Sequence, residues 1–292
     1  MILFKSKTLS WFQNDGWLVW ILRFLAIIAG AIALLIVGFL ILESLPVIKD
    51  VGIKHFFTDS SWNPTAGLYN LVPMLWGTLL VVFSSVLIAT PIGILSALFC
   101  QFYAPSLLAS LYRRLIELLA GIPSVVYGFW GLVVLVPLIA KNHPPGQSLL
   151  AGIAILTIMI MPTAALVADA SLAKVPASYL QGAAALGLSR WATIRQIVFP
   201  AAKSGLFTGI ILETGRAIGE TMAVLMVCGN VVQTPKGIFD PIRTLTANIA
   251  LEMAYATGDH RSALFVSGLV LMGLIVLLVA VAEVISQGKI YG

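Results

Sequence analysis

The chain has 292 residues, 60% of them hydrophobic and 10% charged, with a mean hydropathy of +1.02. Soluble domains carry about 25% charged residues, so the composition excludes an ordinary soluble enzyme and describes a protein that crosses a membrane several times. The formal net charge is +5, but no basic cluster with interleaved aromatics goes with it, which excludes nucleic acid as a partner.

In chain order, six segments reach the roughly 20 apolar residues that span a bilayer. They are predicted at about 18–43, 72–99, 116–140, 148–169, 202–229 and 262–285. The first contains an uncharged run of 19 residues, Phe24–Leu42, longer than the core of a signal peptide, and reads as a retained anchor. Pro91, Pro123 and Pro162 predict kinks or broken ends within or near segments two to four. The fold class is therefore all-α, a polytopic membrane protein of six transmembrane helices. The two cysteines, Cys100 and Cys228, lie far apart in apolar surroundings and read as buried thiols.

Lys and Arg placement sets the orientation. With the N-terminus inside, the cytoplasmic pieces hold Lys5, Lys7, Arg23, Arg113, Arg114, Lys174, Arg190, Arg195, Lys203 and Lys289. The outer pieces hold Lys49, Lys54, Lys141, Lys236, Arg243 and Arg261. The bias places both termini in the cytoplasm, with 1–17 as an N-terminal segment, 18–285 as one transmembrane domain and 286–292 as a tail. Three connections exceed simple turns: an outer one at about 44–71, an inner one at about 170–201 and an outer one at about 230–261. Trp62 and Trp130 read as interfacial anchors. His55, His143 and His260 read as solvated loop residues. The last outer loop is expected to form a short helix over the outer mouth, where an external protein is received.

The inner connection carries its own start and stop signals. Pro176 suits a first helical turn, and Gly187 suits a left-handed end. A second stretch runs from Arg190 to Val198, and Pro200 is expected to reset the chain before segment five. A helix–turn–helix on the cytoplasmic face follows for 176–200, its small alanines leaving room for another protein. Gln181-Gly182-Ala183, three residues, Gly187, nine residues and Ile197-Val198-Phe199-Pro200 resemble the EAA loop of bacterial ABC importer permeases. That pattern runs Glu-Ala-Ala, three residues, Gly, nine residues, Ile, any residue, Leu, Pro. Gln181 stands where the family has Glu, Gly182 replaces Ala, and Phe199 replaces Leu.

"GTLLVVFSSVLIATPIGILSALF", "AGIPSVVYGFWGL" and "ETGRAIGETMAV" are similar to phosphate importer permeases, the PstC-type branch in particular, over about residues 56–285. The resemblance implies a type I permease that forms half of a path for inorganic phosphate in the bacterial inner membrane. It implies a second, PstA-type permease, two ATP-binding subunits docked on Gln181, Gly182, Ala183, Gly187, Ile197 and Pro200, and an extracytoplasmic phosphate-binding protein. No cofactor is implied. No G-x-x-x-x-G-K-[ST] occurs in the chain, so ATP hydrolysis falls to partners.

Segment five carries Glu213, Arg216 and Glu220. On one continuous helix these fall within about 60° of arc and form a charged stripe, with an internal Arg216–Glu220 ion pair available. An arginine at the bilayer centre costs about 2.5–3.5 kcal/mol, so such residues face protein or water. A guanidinium matches phosphate oxygens as a planar fork, and the resemblance points to the same arginine and glutamate. Arg216, Glu220 and Glu213 are thus the candidate path residues; a purely structural ion pair is the competing reading. Gly215, Gly219 and Ala223 form a neighbouring small-residue row suited to a partner helix. Rival functions are a permease for another oxyanion (sulfate or molybdate), a free-standing channel, and an intramembrane enzyme using Glu213 and Glu220 as acid and base.

Overall fold

A computed structural model describes residues 16–287, with side-chain environments for 17–281. Lys5, Lys7, Lys289 and the ends of the proposed cytoplasmic termini lie outside the described residues. Helix α1 (Gly16–Asp50) is apolar on every side, so its polarity singles out no face. It rests chiefly on the last helix, through Phe39 against Phe265 edge-on at 5.6 Å and Glu43 with Arg261 at 3.4 Å.

After α1, α2 (His55–Thr58) leads to a small hairpin in which β1 (Trp62–Asn63) pairs antiparallel with β2 (Leu68–Tyr69). Gly67 closes its turn at φ +73°. Asp59 fastens the hairpin by accepting the Tyr69 backbone N–H at 2.9 Å and the His55 Nδ1 at 2.8 Å. The Tyr69 bond foremost, and His55 behind it, hold the Asp59 carboxyl below the usual aspartate range against the opposing effect of burial.

Helix α3 (Val72–Leu98) runs on through a π turn, Phe99–Tyr103. The predicted third segment is two helical pieces. α4 (Ser106–Ala120) is joined by Gly121-Ile122-Pro123 to α5 (Ser124–Trp130), a π turn and α6 (Val136–Ala140), with an 88° bend at the break. Pro123 lacks an N–H and pushes the residue before it out of helical geometry. Arg113, Arg114 and Glu117 interrupt the apolar run, so hydropathy alone places the start of this piece too late. Pro91 and Pro162, by contrast, sit inside continuous helices.

α7 (Leu149–Ala173) packs along α3 as the central pair of the chain. A Cβ on Gly93 of α3 would lie 2.6 Å from the Ala164 Cβ of α7, so glycine sets how closely these helices approach. After α7 follow α8 (Ala177–Ala185), Gly187 at φ +67°, and α9 (Arg190–Thr193). The chain continues through a π turn, Ile194–Val198, into α10 (Phe199–Ile218) without interruption. Pro200 therefore does not reset the chain: the π turn, with Phe199 N–H on Ile194 O, shifts the ladder just ahead of the proline.

α10 ends at Ile218. After Gly219–Thr221 a short α11 (Met222–Val227) resumes. The outer loop then returns to the bundle. α12 (Leu245–Glu252) begins where the Leu245 N–H meets Thr78 Oγ1 at 3.0 Å, about 9 Å into α3. Leu149 and Leu150 N–H groups bind Asp240 O and Ile238 O at 2.9 and 2.8 Å, and Ile242 N–H binds Cys228 O at 2.9 Å. Non-helical backbone at this depth is tolerated because protein covers it. α13 (Gly258–Gln287) completes the chain. Both cysteines are buried free thiols.

Candidate functional site

The charged stripe expected on segment five is split by the helix break. Gly219 and Glu220 N–H groups bind Arg216 O and Ala217 O at 3.1 and 3.2 Å, so α10 tightens and stops. Glu220 leaves the helix. Its Oε1 accepts the Ala223 N–H at 3.2 Å and caps the start of α11, while its carbonyl accepts the Thr246 hydroxyl at 2.8 Å. The expected Arg216–Glu220 ion pair is not formed: among the described residues no carboxylate lies within 4.0 Å of the Arg216 guanidinium. Arg216 is exposed on the open side of α10.

Glu213 faces the other way. It is 6% exposed and meets Thr163 of α7 with 2.7 Å between Glu213 Oε1 and Thr163 Oγ1. The two carboxyls thus serve different bonds on different elements, an arrangement unlike the paired acid and base that an enzyme reading needs. The small-residue row also divides. A Cβ on Gly205 or Gly209 would press on Ser171 or Val167 of α7, whereas Gly215 has open space around it and Gly219 meets only its own helix. The part of α10 beside Arg216 is left uncovered by this chain.

The 176–200 loop is fixed to the helix ends that it packs against. Ile194, Val198, Ala202 and Leu206 pack with Ala97, Leu98, Ala168 and Leu172. Ala183 is buried, while Gln181, Gly182, Gly187 and Pro200 are exposed and Ile197 is half-buried. In the same loop Leu186 is 79% exposed and Trp191 61%. Arg113 of α4 grips Asp169 of α7 bidentately, Nε to Oδ2 at 2.9 Å and Nη2 to Oδ1 at 3.1 Å, and Gln101 Nε2 adds a bond at 2.9 Å. Two residues 56 apart in sequence give no spacing signal, but a lone aspartate at the end of an apolar span calls for a partner.

A second cluster lies where the hairpin meets the start of α13. Glu252 accepts Trp62 Nε1 at 2.9 Å, His260 Nε2 at 2.8 Å and Arg243 Nη1 at 2.6 Å. Arg243 also binds Asn230 O and Asn248 Oδ1. Trp62 and His260 are therefore parts of a buried network rather than a headgroup anchor and a solvated ring; each polar tip finds its partner in protein. His143 stacks on Phe239 at 3.7 Å and His55 binds Asp59, so all three histidines are engaged. Trp130 stays 45% exposed.

The apolar spans and the open α10 face together describe a polytopic membrane protein. Residues 89–290 match the family described as binding-protein-dependent transport system inner membrane component, and the chain belongs to that family. It is 40% identical over 272 residues to the probable ABC transporter permease protein YqgH of Bacillus subtilis, covering 91% of this chain and 88% of that protein. It is 35% identical over 250 residues to the phosphate transport system permease protein PstC of Mesorhizobium japonicum, covering 78% and 76%. Among solved structures, a bacterial ABC transporter involved in the import of the acidic polysaccharide alginate aligns with a TM-score of 0.68 at 15% identity, covering 94% of this chain and 96% of that one. The inward-facing MetNI methionine ABC transporter aligns at 0.61 and 20% identity, covering 75% and 95%. These structures share the fold, and the family is the one that the 181–200 spacing resembles.

Proposed function

We propose that this chain is one transmembrane half of an ATP-driven importer of inorganic phosphate in the bacterial inner membrane. Relatives named as phosphate transport permeases support the substrate, and the observation that carries the reading is Arg216. It is a cation on a membrane helix with no carboxylate partner among the described residues, beside a surface the chain leaves open. A guanidinium there offers two parallel donors to a phosphate dianion or monoanion, and one arginine holds an anion weakly enough for passage. Glu220, at the helix break close by, lies where a carboxylate oxygen can accept a hydrogen bond from protonated phosphate, which sulfate cannot supply.

A PstA-type permease covers the open α10 face and closes the path. Two ATP-binding subunits dock on the 176–200 loop around Gln181, Gly182, Ala183, Gly187, Ile197 and Pro200, and they hydrolyse the ATP. An extracytoplasmic phosphate-binding protein docks outside, and both termini of this chain lie in the cytoplasm. Closure of the ATP-binding subunits moves the loop, and its packing on α3, α7 and α10 carries the motion to Arg216. The test is labelled phosphate uptake in vesicles holding the whole transporter, with sulfate and molybdate as competitors. Competition by phosphate alone is expected; equal competition by sulfate or molybdate contradicts the substrate assignment.

A further inference from the structure

Glu213 is a buried carboxyl that the transport reading leaves without a task. It lines a small cavity with Thr90 of α3 and Ala164 and Val167 of α7. No lysine, arginine or histidine of the described residues lies within 4.0 Å of it. The helices packed around α10 offer little charge at this level. α3 carries none between Val72 and Leu98, and α13 carries none from Ser262 to Ala282. Asp169 of α7 is held by Arg113, and Arg195 of the π turn below α10 stands on an exposed surface. Arg216, one turn along, is the charge whose field reaches the carboxyl. The Thr90 hydroxyl is buried without a partner among the described residues and lines the same cavity.

The Thr163 hydroxyl settles where a proton belongs. Its oxygen stands 2.7 Å from Ile160 O and 2.7 Å from Glu213 Oε1. A hydroxyl has one proton to give, and a backbone carbonyl has none. If Thr163 donates to an ionised Glu213, its contact with Ile160 O is two facing acceptors; if it donates to Ile160, the contact with an ionised Glu213 is the same. Both short contacts are hydrogen bonds when the Glu213 O–H donates to Thr163 Oγ1 and the Thr163 O–H donates to Ile160 O.

We propose that Glu213 holds a proton in this conformation and acts as a positioning residue, tying α10 to α7 as a neutral donor while Arg216 stands one turn away as an uncompensated cation. An ionised Glu213 would oppose that charge at short range; a protonated one leaves Arg216 free to draw an anion, a consequence that rests on the phosphate reading. The proton also makes the link between α10 and α7 directional, running from Glu213 through Thr163 to the carbonyl of the residue two before Pro162.

Difference infrared spectroscopy of the whole transporter in lipid nanodiscs tests this. The carboxylic-acid C=O band of the wild type is expected to lose one component in Glu213→Gln and to keep it in Arg216→Gln. Loss of a carboxylate band instead overturns the proposal. Labelled phosphate uptake gives the second readout. Glu213→Gln, whose amide N–H still donates to Thr163, is expected to stay within about twofold of wild type, while Glu213→Leu falls about tenfold, the scale of one lost bond between membrane helices. Equal uptake by the Gln and Leu variants overturns the positioning role, and if the Leu variant does not assemble, the Gln spectrum still decides. A failed phosphate assignment would show in substrate competition and leave the infrared band in place.

Discussion

Glu252 accepts hydrogen bonds from Trp62, Arg243 and His260 while only 7% exposed. One carboxylate thereby joins the outer hairpin, the returning loop and the start of α13. Removing one partner of a buried ion pair leaves the other charge uncompensated, at about 3–5 kcal/mol. Glu252→Ala is therefore expected to cost about that much, read as a lowered unfolding temperature in detergent or nanodiscs, while Trp62→Phe, which removes one hydrogen bond to that carboxylate, costs about 1.5–3 kcal/mol. Arg113 and Asp169 make a second, more exposed clamp near the C-terminal end of α7. In each case the residue types were visible in the sequence as charges in or beside apolar segments, but their partners were not, because contacts across 56 or 190 residues leave no local periodicity.

At the scale of elements, the spans were legible wherever hydropathy alone decides. α3 and α7 are continuous apolar helices, and the turn at Gly187 follows from a glycine that can take a left-handed conformation. What hydropathy misses is interruption. α4 hides behind its charges, α10 stops at Gly219 although the apolar pattern runs on, and the outer loop dips beside α3 through backbone bonds that composition does not encode. The stripe of Glu213, Arg216 and Glu220 fails for this reason: helical angles apply only while the helix lasts. Packing predicts two opposite results for glycine. Gly93→Leu forces α3 and α7 apart and is expected to cost about 1–3 kcal/mol or more of chain stability. Gly215→Leu meets open space, so the chain folds as before, and the damage appears as lost co-purification of the second permease. In the outer hairpin, the lowered Asp59 carboxyl stabilises the folded form fully above the ordinary aspartate range. That contribution is lost as pH falls through the lowered value. Faster amide exchange at Tyr69 in acid, absent from Asp59→Asn, checks this.

For the whole molecule, the 176–200 loop packs on the C-terminal ends of α3 and α7 and the start of α10, and Arg216 stands near the far end of α10. If the ATP-binding subunits dock on the loop as proposed, substituting bulky residues at the exposed Gly182 is expected to leave the transporter assembled and hydrolysing ATP while uptake falls. The account places the anion contact on Arg216, and one measurement addresses it most directly. In vesicles containing the complete transporter, labelled phosphate uptake by Arg216→Gln should fall by a factor of about ten or more, the scale of one charge-assisted hydrogen bond of about 1.5–3 kcal/mol, with the complex intact and ATP still hydrolysed. Uptake at the wild-type rate in that variant would show that the cargo passes without touching this guanidinium.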